Sequence, residues 1–299
     1  MTKIFITGSC GFIGQNLIKK LSSNKKYEIL GLYHVQKPIL FKENILYIKG
    51  NLSNRKNITN IILDYKPDIV IHLGAKHFIP WCEKNKLQTF LVNVYGSYNI
   101  IQACNRASVK KVIFSSSAGI YASSKLKLNE KNAIKPIDIY TKTKILAEKI
   151  ILNTSKIKSI YICRLSNVYG NNTKINHLIH KVRIACINNQ TLSIGNLSSI
   201  RDYIHISDLI EAFSLLIKKK EGTPTIKTYN ISSGKSYSVK KIISIAKKYF
   251  PKFKFNQKSS LQRKNDKKFV YINSKKIQKE LNWQPKIKIE QYFKNNFFI

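Results

Sequence analysis

Residues Thr7 to Gly14 read TGSCGFIG and place glycines at positions 8, 11 and 14. The preceding run, Lys3 to Thr7, has the character of a short buried strand, and apolar residues from Ile13 to Leu21 recur at helical spacing. Glycines at a strand-to-helix turn let a phosphate approach the backbone N–H groups and the positive end of the helix dipole. A plain tight turn also uses glycine, so this motif alone is a weak prediction of a phosphate site.

Strand-like runs alternate with stretches long enough for crossover helices through the first half of the chain. This alternation predicts an α/β fold with a doubly wound parallel sheet, whose ligands bind beyond the carboxyl ends of the strands. We expect a dinucleotide-binding domain over residues 1–165 and a smaller substrate-binding region over residues 166–299, with some segments returning to the first domain. The predicted strands are Ile29 to Leu32, Ile45 to Ile48, Ile69 to Leu73, Val112 to Ser115 and Ile160 to Cys163.

The chain of 299 residues is strongly basic, with 53 Lys and Arg against 15 Asp and Glu and a formal net charge of +38. Dense positive charge is typical of nucleic-acid binding, but the lysines are dispersed and no nucleic-acid-binding motif is present. We therefore expect a solvated basic surface and no nucleic-acid partner. Five scattered cysteines show neither disulfide nor metal-site spacing. No membrane span or export signal is evident, which predicts a cytoplasmic protein.

A serine-rich strand end and a Tyr-x-x-x-Lys motif carry the chemistry of the sequence. Ser117 lies shortly after the run Val112 to Phe114. Tyr140 precedes Lys144 by four positions, so the side chains of Tyr140 and Lys144 share one helix face. A lysine ammonium beside a phenol, together with a nicotinamide cation, favours phenolate and lowers the tyrosine pKa toward neutrality. Such a tyrosine can exchange a proton with a sugar hydroxyl while the serine holds the same oxygen. Chance also produces this motif in a chain rich in tyrosine and lysine.

Taken together, the motifs resemble the extended short-chain dehydrogenase/reductase family over essentially the whole chain. The resemblance implies a Rossmann-type fold, a nicotinamide cofactor and a nucleotide-activated sugar as substrate. The motifs, in chain order, are TGSCGFIG, PDIVIHLGA, LVNVYGSYNI, VIFSSSAGIYA, YTKTKILAEK, CRLSNVYG, RDYIHISDL, YNISSGKSYSV and RKND with the terminal SKKIQKELNWQP.

The resemblance also implies roles for individual residues, and no metal site is expected. The catalytic residues would be Ser117, Tyr140 and Lys144. The cofactor-binding residues would be Gly8, Gly11, Phe12, Ile13, Gly14, Tyr33, His34, Asn51, Leu52, Leu73, Gly74, Ala75, Asn93, Tyr140 and Lys144. The substrate-binding residues would be Ser117, Asn167, Asn176, Leu178, Arg201 and Arg263, with the two arginines on the diphosphate. Residues His72, His205, Asp208 and Trp283 are expected to be structural.

The sequence departs from the family pattern at the end of the second predicted strand. Members that bind NAD carry an acid there for the adenosine ribose, whereas this chain has Tyr33 and His34, with Lys37 close by. NAD remains the expected cofactor, and NADP is possible. A second departure is Asn51, where an aspartate usually follows the glycine.

The residues after Ser117 bear on the type of reaction. Dehydratases of this family usually carry an Asp-Glu pair there, but this chain has Ala118 and Gly119. We therefore expect a nucleotide-sugar epimerase that inverts C4 of a UDP-hexose through a transient 4-keto sugar. An NADPH-dependent 4-keto-6-deoxy nucleotide-sugar reductase is the first alternative, and a non-catalytic sensor or RNA-binding protein is a weaker one.

The resemblance also bears on the oligomeric state. The helices over Leu91 to Ala107 and Tyr140 to Leu152 resemble a pair that forms homodimers in relatives, so we expect a homodimer.

Overall fold

The computed structural model describes residues 1–171, 177–220, 222–262 and 266–295. Among these residues the β-strands are β1 (Thr2–Thr7), β2 (Tyr27–Tyr33), β3 (Ile45–Lys49), β4 (Ile69–His72), β5 (Lys111–Ser117), β6 (Ser159–Leu165), β7 (Asn167–Tyr169), β8 (Leu192–Ile194), β9 (Ile200–His205), β10 (Thr225–Ile231), β11 (Ser236–Ser238) and β12 (Phe255–Gln257).

The α-helices in the described ranges are α1 (Phe12–Leu21), α2 (Arg55–Tyr65), α3 (Ile79–Lys84), α4 (Lys86–Phe90), α5 (Gly96–Arg106), α6 (Ile139–Thr154), α7 (Leu178–Ile187), α8 (Ile206–Lys218), α9 (Val239–Tyr249), α10 (Lys275–Leu281) and α11 (Ile289–Asn295). A π-helical turn, Leu91–Tyr95, joins α4 to α5, and short 3-10 turns cover Ala118–Ile120 and Ser259–Leu261.

The chain forms two compact units. The first contains Met1–Ile120, Pro136–Arg164 and Ala212–Tyr229, and the second contains Tyr121–Lys135, Leu165–Glu211 and Asn230–Ile299. The expected assignment of residues 1–165 to the cofactor and residues 166–299 to the substrate is a statement about function, and it stays a prediction.

A seven-stranded sheet, ordered β10-β6-β5-β4-β1-β2-β3, forms the centre of the fold. The pairs from β3 through β2, β1 and β4 to β5 are parallel, which confirms the predicted doubly wound α/β fold. Thr7 pairs with Leu32 on one side and with His72 on the other. The strand order reverses at β1, so the carboxyl ends of β1 and β4 meet where this fold class binds its ligands.

The core of the first unit explains why its strands are nearly continuous apolar runs. All four residues of β4 are buried, as expected for a parallel strand with helices on both faces. Side chains such as Phe5, Val70 and Val112 pack with apolar residues of α2, α5 and α6. Two of these helices begin at side-chain caps: Asn54 accepts from the Asn57 N–H, and Asp138 accepts from the Thr141 N–H in a capping box.

The second unit has its own small sheets and its own core. In the three-stranded sheet β11-β9-β7, β9 runs antiparallel to β11 and parallel to β7, and β12 pairs with β8 separately. Its buried cluster includes Tyr169, Val182, Tyr203, Ile242 and Phe293. Within the described ranges, no helix combines the length and apolarity needed to cross a bilayer.

Candidate active site

The glycine turn between β1 and α1 has a geometry that only glycine fits. Gly8 has φ of +67°, and a Cβ on it would lie 2.9 Å from the Gly74 backbone. A Cβ on Gly14 would meet the Gly8 carbonyl oxygen and lie 2.7 Å from the Ser9 carbonyl oxygen. The amide of Gly11 donates to the Gly8 carbonyl (3.0 Å), and the N-cap residue of α1 is Gly11 itself, which has no side chain to cap the helix. The turn therefore places bare backbone beside the positive end of the helix, which fits a pyrophosphate.

A buried polar chain supports this turn from behind. The Gly74 N–H donates to Thr7 Oγ1 (3.0 Å), which lies 2.7 Å from His72 Nδ1, and His72 Nε2 lies 3.0 Å from Ser97 Oγ. Because Ser97 Oγ donates to the Asn93 carbonyl (2.6 Å), Nε2 of His72 must carry the proton and Nδ1 must accept from Thr7. Burial and the nearby Lys144 lower the pKa of His72 to about 3, so its ring is neutral. Sequence reasoning placed His72 at a strand end but missed Thr7 and Ser97.

Asn93 lies in the π-helical turn and connects two parts of the site. Its Nδ2 donates to the Lys76 carbonyl (2.8 Å) and to Thr143 Oγ1 (3.0 Å), and its Oδ1 accepts from the Lys76 N–H (2.7 Å). Thr143 directly precedes Lys144, so Asn93 fixes the loop after β4 against the first turns of α6. The family resemblance pointed to Asn93, but the π-helical turn could not be read from the sequence.

The three predicted catalytic residues lie at the end of β5 and the start of α6. Lys144 is 3% exposed, its Nζ donates to the Ser115 carbonyl (2.7 Å), and its ammonium lies 4.8 Å from the centroid of the Phe114 ring. Ser117 Oγ accepts from the Gly119 N–H (3.1 Å), and a hydrogen bond joins the Ser117 and Tyr140 side chains. The structure therefore brings Ser117, Tyr140 and Lys144 together.

The sequence-based expectation of a lowered Tyr140 pKa included a nicotinamide cation, and in the chain by itself the shift runs the other way. Burial raises the pKa of Tyr140 to about 12, and the hydrogen bond from Ser117 only partly offsets this rise. Burial lowers the pKa of Lys144 to about 8, while the negative charge of Glu148 opposes that shift. In the chain by itself, desolvation of the phenol therefore outweighs any stabilisation of the phenolate by Lys144.

The predicted cofactor residues beyond the glycine turn occupy the carboxyl ends of neighbouring strands. Tyr33 ends β2 and pairs with Lys49 of β3, and His34 is exposed. Asn51 Oδ1 accepts from the Ser53 N–H (3.0 Å) and Oγ (2.8 Å), so that oxygen is engaged in its own turn. The first turn of α1 holds Phe12 and Ile13, the loop after β4 holds Leu73, Gly74 and Ala75, and Leu52 is buried beside Gly74.

In the second unit, the predicted substrate residues that can be described are held by other protein groups. Asn167 Nδ2 donates to the Asp202 carbonyl (3.2 Å), and Leu178 is the first residue of α7. Arg201 donates through Nη2 to Asp266 Oδ1 (2.5 Å) and through Nη1 to the Ile200 carbonyl (2.7 Å). Asn176 and Arg263 lie outside the described residues.

Three residues expected to be structural are packed or hydrogen-bonded within the second unit. The Asp208 carboxylate accepts from the N–H groups of Lys286 and Ile287 (3.0 Å each). The backbone carbonyl of Asp208 accepts from Trp283 Nε1 (3.1 Å). The ring of His205 lies between aromatic neighbours, and burial lowers the pKa of His205 to about 4. Within the described ranges, no three His, Cys, Asp or Glu side chains come together in a way that would hold a metal ion.

A glycine turn between the first strand and helix, the cluster of Ser117, Tyr140 and Lys144 and a doubly wound sheet are the features of the extended short-chain dehydrogenase/reductase class. The profile of the NAD dependent epimerase/dehydratase family matches residues 4–232. The chain therefore belongs to the NAD-dependent epimerase/dehydratase family.

Curated relatives include members with different reactions. A GDP-6-deoxy-D-talose 4-dehydrogenase from Aggregatibacter actinomycetemcomitans is 32% identical over 247 residues, which cover 81% of this chain and 78% of the relative. A UDP-glucose 4-epimerase from Lactobacillus helveticus is 27% identical over 306 residues, covering 95% of this chain and 92% of the relative. A UDP-glucuronic acid 4-epimerase from Bacillus cereus, solved with UDP-glucuronic acid and NAD, shares the fold with a TM-score of 0.89, 22% identity and coverage of 99% and 98%.

Proposed function

We infer that the protein is a nucleotide-sugar 4-epimerase that inverts C4 of a UDP-hexose through a transient 4-keto sugar. The observation that carries this inference is the 3-10 turn Ala118–Ile120, which directly follows Ser117. Ser117 and Tyr140 provide the hydroxyl and the phenol needed for oxidation at C4, whereas the turn carries no carboxyl group that could protonate a leaving hydroxide. The geometry thus supports reversible oxidation of the sugar and disfavours 4,6-dehydration.

The proposed chemistry assigns one task to each residue of the constellation. Ser117 holds the oxygen of the sugar 4-hydroxyl, and Tyr140 removes its proton and later returns it. Lys144 holds the nicotinamide ribose and supplies positive charge beside the phenol. A nicotinamide held beside these residues would supply reversible hydride transfer at C4, so that hydride could return to the opposite face of the 4-keto sugar. Arg201, together with Asn167, is proposed to bind the nucleotide diphosphate.

The glycine turn supports a tightly bound dinucleotide, and NAD is the proposed cofactor. Gly8, Gly11 and Gly14 would hold the pyrophosphate, with Gly74 packed against the turn. At the ribose end, Tyr33, His34 and Lys49 provide no carboxylate for the adenosine hydroxyls, so NADP remains the alternative. The family description and the NAD-bound structural relative favour NAD.

A 4-keto-6-deoxy nucleotide-sugar reductase is the second candidate. It would use the same Ser117, Tyr140 and Lys144 but consume NADPH. Its support is the relative described as a GDP-6-deoxy-D-talose 4-dehydrogenase, together with the basic groups near the end of β2. The two candidates differ in whether the cofactor is regenerated in each turnover.

Proton NMR of the purified protein with UDP-galactose, and with no added nicotinamide, tests the proposal. We expect the protein to convert UDP-galactose to UDP-glucose with the cofactor that co-purifies with it. Mass spectrometry identifies that cofactor. We expect Tyr140→Phe to lower kcat by about 10²–10⁴-fold, the usual range for loss of a general acid–base group. Near-normal turnover in Tyr140→Phe would contradict the proposal. Oxidation of NADPH by a 4-keto-6-deoxy nucleotide sugar, without UDP-galactose conversion, would establish the reductase instead.

A further inference from the structure

Helix α6 carries a third polar residue at the spacing of the catalytic pair. Tyr140, Lys144 and Glu148 follow one another at intervals of four, so they lie along one face of the helix. Glu148 is 4% exposed, although a carboxylate in a helix of this class normally points to solvent. A buried carboxylate is retained only where other groups compensate its charge, so its surroundings need an explanation.

Two neighbouring strands supply that compensation. Arg164, on β6, donates through Nε to Oε1 of Glu148 (3.1 Å) and through Nη2 to Oε2 (2.8 Å). This is a two-point guanidinium–carboxylate pair, which fixes the orientation of the carboxylate as well as its charge. Ser116, on β5, donates through Oγ to Oε1.

The contact with Ser116 connects Glu148 to the candidate catalytic groups. Ser116 lies between Ser115, whose carbonyl accepts from Lys144 Nζ (2.7 Å), and Ser117. Glu148 therefore fixes the segment of β5 that positions both Ser117 and the acceptor for Lys144. Glu148 also places a negative charge on the same face of α6 as the buried ammonium of Lys144, one turn further along the helix.

We propose that Glu148, held by Arg164 and Ser116, is a positioning residue that keeps Lys144 charged and in register with Ser115 and Ser117. The proposal deepens the proposed function and rests on it, because it assigns Glu148 an effect on the catalytic lysine. Glu148 touches neither substrate nor cofactor in this scheme and acts only through Lys144 and β5.

The other titratable groups around Lys144 do not provide this charge. Burial lowers the pKa of His72 to about 3, and burial also lowers the pKa of His77, so both rings are neutral near pH 7. Tyr140, one turn before Lys144, has a pKa raised to about 12 and is neutral as well. Arg164 is cationic and faces Glu148. Glu148 is the group whose negative charge raises the pKa of Lys144 against the effect of burial.

Two charge-neutralising variants should move the titration of Lys144 in opposite directions. Glu148→Gln keeps the side-chain size but removes the negative charge, so the pKa of Lys144 should fall by about one unit or more. Arg164→Gln leaves Lys144 as the cation facing Glu148, so the pKa of Lys144 should rise. A purely structural role would disturb the site in the same direction in both variants. Circular dichroism checks that each variant is folded.

The titration can be measured without turnover. Protein labelled with ¹³C at the lysine ε-carbons is followed by NMR across pH, and the signal of Lys144 is identified by its loss in Lys144→Met. In active protein, the basic limb of log(kcat/KM) should move by the same amount and in the same direction as the NMR pKa. Activity falls on this limb because Lys144 loses its proton as pH rises through its pKa.

Lys111→Met is the matched control. Lys111 is a buried lysine on β5, the strand that also carries Ser116. Its Nζ donates to the carbonyls of Leu216, Ile217 and Lys219, which lie outside the candidate site. Its loss should lower thermal stability without moving the titration of Lys144. Opposite shifts in the two test variants support the proposal, whereas equal shifts, no shift, or a shift in Lys111→Met overturn it. The NMR titration does not depend on turnover, so it tests the role of Glu148 independently. The proposed function is tested separately and fails if Tyr140→Phe stays active.

Discussion

Tyr140 shows how surroundings change the chemistry that a sequence motif predicts. The Tyr-x-x-x-Lys spacing places both side chains on one helix face, but burial of the phenol raises the pKa of Tyr140 to about 12. The Lys144 ammonium is itself desolvated and donates to Ser115. The chain by itself therefore holds the phenol in its neutral form near pH 7, and a bound nicotinamide cation would favour the phenolate.

A substitution in the glycine turn tests the cofactor site at the scale of a single residue. In Gly14→Ala the new methyl group would meet backbone atoms of Gly8 and Ser9, which cannot move aside as a flexible side chain could. We expect cofactor binding to weaken by at least about tenfold, which corresponds to roughly 1.4 kcal/mol. Equilibrium titration with NAD of protein first freed of bound cofactor, followed by fluorescence, measures the effect.

Gly222→Ala is the control for this substitution, because a Cβ there would meet nothing within 4 Å. It should bind NAD as the unmodified protein does. Equal affinity in the two variants would show that the turn does not hold the dinucleotide.

At the scale of elements, helices α4, α5 and α6 and the π-helical turn perform two tasks. Their inner faces position Asn93, Thr143 and Lys144, as described above. Their outer faces expose apolar side chains, including Leu87 (71% exposed), Leu91 (37%) and Leu146 (41%). Exposed apolar residues on adjacent helices are typical of an interface, which supports the homodimer implied by the family resemblance.

We predict that the protein is a dimer in solution and that Leu91→Lys combined with Leu146→Lys produces monomers. Two buried lysines at a helical interface would lack partners and oppose association. Light scattering after size-exclusion chromatography measures the mass. Leu126→Lys serves as the control, since Leu126 is 79% exposed and lies on none of these helices. A monomeric mass for the unmodified protein would refute the prediction.

At the scale of the whole molecule, the net charge of +38 is the most unusual property of the chain. Among the described residues, ion pairs include Arg164 with Glu148, Arg201 with Asp266 and Lys110 with Asp68. Lys and Arg outnumber Asp and Glu by 53 to 15, so repulsion among the excess positive charges opposes the compact state.

Because salt screens such repulsion, the protein should become more stable as ionic strength rises. The Debye length falls from about 30 Å at 0.01 M salt to about 8 Å at 0.15 M. We expect Tm to increase over this range, by roughly 2–4 °C for each kcal/mol of repulsion removed. Differential scanning calorimetry in sodium chloride measures it, and a level or falling Tm would contradict the argument. RNA binding that disappears at the higher salt would be non-specific.

The sequence predicted the sheet well, because its strands are apolar runs bounded by polar loops. The five predicted strands correspond to β2 through β6, with ends that differ by a few residues. Local spacing also predicted that Tyr140 and Lys144 share a helix face. It did not predict the π-helical turn at Leu91–Tyr95, within which Asn93 contacts Lys76 and Thr143, residues far away in the sequence.

By itself the sequence determined the class of fold, the glycine turn and the shared helix face of Tyr140 and Lys144, because these features depend on periodicity, on glycine sterics and on spacing within one element. The catalytic roles of Ser117, Tyr140 and Lys144 rest on the family resemblance and stay a prediction. Only the tertiary structure decided that Glu148 lies buried against Arg164 and Ser116, that His72 is neutral between Thr7 and Ser97, and that the phenol of Tyr140 is desolvated. Burial and long-range pairing are properties of the packed molecule, and they set the charge states on which the chemistry depends.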